Sequence, residues 1–86
     1  MKKDNSDIEI QHCINWIRSC CTITKAINYD RSSYGLKHDV ERWAGCYISN
    51  DAFKATASQI GLMTAPAGTI NEYYNLKVLK KNKNRK

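Results

Sequence analysis

The chain predicts an α+β fold: three short helices and a small C-terminal β element, in a reduced winged-helix-like order. Three observations carry this. Apolar residues recur at three-four spacing in three separate stretches. Glycines punctuate the last two stretches, at Gly45 and Gly61. Residues 72–79 are instead rich in aromatic and branched side chains, a strand signature. The second and third helices form a helix-turn-helix-like pair over 33–60, an arrangement that holds one helix out as a reading surface.

The first helix is expected to start near Ser6, where Ser6-Asp7-Ile8-Glu9 has the capping-box form. Ile10, Cys13, Ile14, Ile17, Cys20 and Cys21 continue it as one apolar stripe, with Trp16 beside the stripe. It is expected to fade over Thr22 to Ala26, where β-branched residues lower helix propensity. Ile27 to Arg31 reads as a connector, because Asn28, Asp30 and the following serines are turn formers. The second helix is expected over about 33–44, opened by Ser32-Ser33, striped by Leu36, Val40, Trp43 and Ala44, and stopped by Gly45. Gly35 in its first turn weakens a helix by about 1 kcal/mol relative to Ala. Close approach of another group explains such a glycine best. Asn50 is expected to cap the third helix, over about 51–60, which carries Phe53, Ala57 and Ile60 and ends at Gly61. The expected core is Ile14, Ile17, Leu36, Val40, Trp43, Phe53, Ala57 and Ile60. Pro66 and Gly68 mark a loop. The strand over 72–79 has two candidate partners, Leu62–Thr64 in a hairpin or the apolar link Cys46–Ser49. Tyr73 and Tyr74 alternate on it, so one faces the core and one faces away.

Eighty-six residues make one small domain, expected over 1–79, followed by a basic, disordered tail over 80–86. The net charge is +6. Residues 77–86 hold Lys77, Lys80, Lys81, Lys83, Arg85 and Lys86 and no acid. The other eight basic residues lie in 1–76 with all eight acidic ones, so the body is neutral and the tail carries the imbalance. Such a tail binds phosphate non-specifically or serves solubility. The sequence has no 20-residue apolar run for a membrane span and no secretion-signal pattern at its start, so a cytoplasmic protein without membrane partners is expected.

The four cysteines lack the two-to-four-residue spacing of structural zinc sites, and cytosolic thiols stay reduced. Cys13 and Cys20 are expected to pack as small apolar residues. Lys37-His38-Asp39 superficially resembles a catalytic group, but consecutive helical residues point about 100° apart. Lys37 and Glu41 read as an ordinary surface ion pair. The sequence has no phosphate loop, carboxylate pair or nucleophile motif, so no enzymatic activity, cofactor or small-molecule substrate is expected. Recognition is. Five tyrosines stand against one phenylalanine, a ratio typical of binding surfaces. The candidate binding residues are Tyr34, Lys37, His38 and Arg42 on the second helix, Asn50, Lys54 and Gln59 on the third, and Lys77, Lys80 and Lys81 toward the C-terminus.

The run Ser33-Tyr34-Gly35-Leu36-Lys37-His38, then Tyr47-Ile48-Ser49-Asn50, then Phe53, Ala57 and Gly61, resembles a group of small uncharacterised proteins of bacteriophages, prophages and mobile elements. The resemblance covers about residues 31–81. It departs at Asp51, often glycine in that group, and at Ala65-Pro66-Ala67. It implies a phage or mobile-element context, in which small accessory proteins modulate transcription or block host defence. Two functions follow as expectations. One is nucleic-acid binding, with Asn50, Lys54, Thr56, Ser58 and Gln59 near the reading face. The other is inhibition of a host defence complex, such as a CRISPR effector, by protein contact. A homodimer is compatible with either. The third helix has only Lys54 as a cation, with Asp51 at its start, which speaks against a standard DNA-reading mode.

Overall fold

A computed structural model describes residues 5–66 and 70–79 of the chain. Among these residues the fold is α+β, with three helices on a three-stranded antiparallel sheet. In chain order the elements are α1 (Asn5–Cys20), β1 (Cys21–Asn28), α2 (Ser33–Ala44), α3 (Asn50–Ile60), β2 (Thr64–Pro66) and β3 (Glu72–Val78). The sheet order is β1-β3-β2. The arrangement is winged-helix-like in outline, with β2 and β3 as the wing.

One strand in that order departs from expectation. Cys21–Asn28 is β1, not a fading helix end and a connector. Thr22, Ile23, Thr24 and Ile27 are stiff at χ1 and fit a pleated surface better than a helix. The apolar rhythm of α1 runs into Cys21, which hides the change of period. β1 pairs with β3 through Cys21↔Val78, Thr22↔Lys77 and Ile23↔Leu76. A bulge follows, and pairing resumes at Asn28↔Tyr74. β2 covers the other side of β3, with Thr64↔Tyr74 and Pro66↔Glu72. Pro66, which cannot donate to a ladder, therefore lies on an edge strand. The link Cys46–Ser49 stays outside the sheet and forms the α2–α3 turn.

Two asparagines repair the ladder at the bulge. The Asn75 side chain accepts from the Met63 amide at 2.8 Å and donates to the Thr24 carbonyl at 3.0 Å. The Asn28 side chain donates to the Leu76 carbonyl at 3.1 Å. A buried asparagine thus replaces backbone bonds on both sides of the central strand.

The core lies between the helices and the inner face of β3. Trp16, Phe53 and Tyr74 form a chain of rings with centroid distances of 6.3 and 5.6 Å. Leu36, Val40, Ile48, Ala52, Ala57 and Leu76 fill in around them. Cys13 and Cys20 are buried as small apolar residues, and burial pushes the Cys13 thiol up to about 12. Tyr74 faces the core, while Tyr73 lies half-buried against Tyr29 at 5.1 Å.

Three expected core residues fall elsewhere. Trp43 is 38% exposed, and Trp16, expected beside the stripe, is fully buried. Ile60 is exposed and Ile14 half-buried. Both line an open groove of about 450 Å³ with Ile17, Arg18 and Ile23. Helical spacing gives a face its width, but the neighbouring elements decide where its edges lie. The edge residues of the stripes are the ones misassigned.

The helix ends follow local chemistry. Gly45 and Gly61 adopt left-handed φ values of 77° and 79°, the C-terminal stops expected of glycine. Ser49, not Asn50, caps α3: its hydroxyl accepts from the Ala52 amide at 3.0 Å. Glu9 serves the same junction, accepting from the Ser49 amide at 2.8 Å. The buried Ser33 hydroxyl accepts from the Glu72 amide at 3.1 Å, tying α2 to the start of β3.

Candidate binding face on the second helix

Tyr34, His38 and Arg42 are four residues apart and form a stripe along α2. The ring of Tyr34 meets that of His38 edge-on at 4.5 Å. Lys37 lies beside the stripe, and its expected pair with Glu41 is not an ordinary surface one. Lys37 is 6% exposed. Its Nζ sits 5.4 Å from the centroid of Tyr34 and 5.0 Å from that of Tyr47, and 3.1 Å from Glu41 Oε2. The buried lysine is therefore a peg between two tyrosines. The rings themselves face outward, Tyr34 at 53% and Tyr47 at 68% exposure.

Glu41 organises the assembly. Its Oε2 accepts from Lys37 and from the Ile48 amide at 3.0 Å, and its Oε1 meets His38 Nδ1 at 2.8 Å. Burial alone would raise the Glu41 carboxyl, but the Ile48 amide, Lys37 and His38 together hold it below the usual range. Lys37 and His38 thus converge on one carboxylate, which consecutive positions do not suggest by themselves. Because Ile48 belongs to the turn, the same carboxylate fixes the loop that carries Tyr47.

The other shoulder of α2 carries a second group. Asp39, buried, receives Arg31 and Arg42. Arg31 also donates to the Gly35 carbonyl at 3.0 Å. A Cβ on Gly35 would have the Arg31 guanidinium as its nearest neighbour, at 3.4 Å. The nearest group to this glycine is thus a side chain three residues before Tyr34.

The remaining candidates are dispersed. Asn50 donates to Asn71 Oδ1 at 3.2 Å, and Lys54 donates to the Ile70 carbonyl at 2.8 Å. Both join α3 to the start of β3. Thr56 is buried and bonds back to Ala52 at 2.9 Å. Three of the five positions expected near a reading face thus serve the fold, while Ser58 and Gln59 stay exposed. Lys77 is exposed on β3. Lys80 and Lys81 lie outside the described residues. Sequence reasoning missed Arg31, Asp39 and Glu41 as organisers. The signal was present in their spacing, since Arg31–Gly35, Lys37–Glu41, His38–Glu41 and Asp39–Arg42 are all three or four apart.

Among the described residues no helix is long and apolar enough to cross a membrane. In comparisons with protein-family models, with curated proteins and with solved structures, nothing matches this chain.

Proposed function

We infer that this chain is a small accessory protein of phage or mobile-element type that acts by binding, and that it engages a host protein through α2 and the α2–α3 turn. The observation that carries this reading is the pair of exposed tyrosines set on a buried lysine. Tyrosine and arginine dominate the energetic centres of protein interfaces. Rings held in place before binding lose less entropy on association. The Lys37 charge is taken up by Glu41, so the tyrosine patch itself is close to neutral and suits a protein surface better than a phosphate backbone. A role as inhibitor of a host defence complex fits such a silent binder.

The test is quantitative affinity purification from bacterial cells, with nuclease treatment, of the wild type and the Tyr34→Ser/Tyr47→Ser variant. The variant loses two ring contacts to a buried lysine and should lose about 1–4 kcal/mol of stability, so a cooperative melt of the purified variant accompanies the comparison. Specific proteins should be retained by the wild type and lost at least tenfold from the variant. An identical set of proteins on both would overturn the reading.

A second reading, nucleic-acid binding, is favoured by the winged-helix-like order and the basic residues 77–86. Its sign would be a gel shift that weakens steeply with salt and ignores the tyrosine substitutions.

A further inference from the structure

The Arg31–Asp39–Arg42 cluster contains two cations and one anion. Arg31 is held along one edge: Nε lies 2.8 Å from Asp39 Oδ2, and Nη2 lies 2.9 Å from Oδ1. Arg42 Nη2 lies 2.6 Å from the same Oδ1. The carboxylate beneath is buried, while the two arginine side chains are 43% and 61% exposed. Two guanidinium groups thus meet over one oxygen, with their other edges turned outward. Arg31 spends its Nε and Nη2 hydrogens on Asp39 and Gly35, which leaves both hydrogens of Nη1 for an incoming acceptor.

Stability alone does not account for this arrangement. One bidentate arginine already satisfies Asp39, and a second, largely exposed one contributes about 0–1 kcal/mol. What the second adds is position. It places a local charge of +1 at the end of the Tyr34–His38–Arg42 stripe. Arg31 lies across the first turn of α2, in ordinary contact range of a Cβ at Gly35.

We propose that Arg31 and Arg42, held on Asp39, form an oxyanion site that receives a carboxylate from an acidic segment of the protein partner. The inference rests on the protein-binding reading of the tyrosine face and specifies the chemistry of the partner beside it. Arg42, held on Asp39 through Nη2 alone, keeps a free edge that can give a planar carboxylate two parallel hydrogen bonds, and Arg31 adds a donor from Nη1. A single excess charge suits one carboxylate. A phosphodiester backbone asks for a stripe of cations, and the one nearby lysine on this helix, Lys37, is already committed to Glu41.

The experiment follows the arginine Nε–Hε signals of the full-length protein by NMR during titration with a hexa-aspartate peptide. A parallel titration uses a single-stranded oligonucleotide of equal charge. The signals of Arg31 and Arg42 should shift saturably with the peptide, and the shift should shrink as salt is raised. Arg42→Gln should weaken peptide binding about tenfold while amide spectra elsewhere stay unchanged. Linear, non-saturating shifts, or equal binding by Arg42→Gln, would overturn the site. A stronger response of the same two signals to the oligonucleotide would overturn the carboxylate assignment in favour of phosphate. Failure here is separable from failure of the broader reading, because the tyrosine variant tests partner capture without touching either arginine.

Discussion

Glu41 receives three donors on two oxygens, and its ionisation is built into the α2–α3 turn. Its folded carboxyl is held low, so it favours folding at any pH above the ordinary carboxylate range. That contribution is lost as pH falls through the depressed folded value. The expected result is a melting temperature that drops between about pH 5 and pH 3, with Glu41→Gln flattening part of that slope. An unchanged slope in Glu41→Gln would show that other carboxylates carry the acid sensitivity. The two tryptophans make a second contrast at this scale. Trp16→Ala empties the centre of the ring chain and should cost about 3–5 kcal/mol. Trp43→Ala removes a ring that is 38% exposed and should cost less, about 1–2 kcal/mol. Denaturant titration of both variants separates them, and equal losses would contradict the packing.

Among the elements, the sheet hangs on its middle strand. β3 is flanked by a three-residue strand on one side and a bulged strand on the other. Neither offers a complete ladder. The Asn75 amide bridges the gap by holding Met63 and Thr24 together. Asn75→Ala leaves the Met63 amide on one side and the Thr24 carbonyl on the other without that partner, and the loss of two hydrogen bonds should cost about 1–3 kcal/mol. Faster hydrogen exchange at the Met63 amide would locate the effect. Protection at Met63 equal to that of the wild type would place the bridge outside the energetics of the sheet. The helices depend on the sheet in turn, because the Ser33 hydroxyl binds the first amide of β3.

Across the molecule as a whole, charge and fold are separate. The body carries equal numbers of acids and bases up to residue 76, and the excess lies beyond it. Removing residues 80–86 takes away five cations and leaves the core and the sheet intact. Melting should therefore be unchanged. Any nucleic-acid affinity should fall, and its salt slope should flatten by about 0.9 for each phosphate no longer neutralised. An unchanged slope would place nucleic-acid binding on the body and reopen α3 as a reading helix.

Features that depend on near neighbours were legible in the chain of residues. Gly45 and Gly61 stop their helices because a left-handed residue is local chemistry. Tyr73 and Tyr74 take opposite faces because a strand alternates. Tyr34, His38 and Arg42 share one face of α2 because residues four apart do. Long-range packing settled the rest. Cys21 to Asn28 is a strand because β3 is there to receive it, and helical spacing alone could not reveal that. Trp16 lies inside because Phe53 packs on its ring and Tyr74 on Phe53, while Trp43 is 38% exposed. Lys37 is buried because Tyr47 folds back from the turn, and that turn is fixed by the Ile48 amide seven residues beyond Glu41. Arg31 reaches Asp39 eight residues away, and Asn75 reaches Thr24 across 51. Bonds of that separation depend on how the chain returns to itself, because periodicity specifies a face and only packing specifies what the face meets.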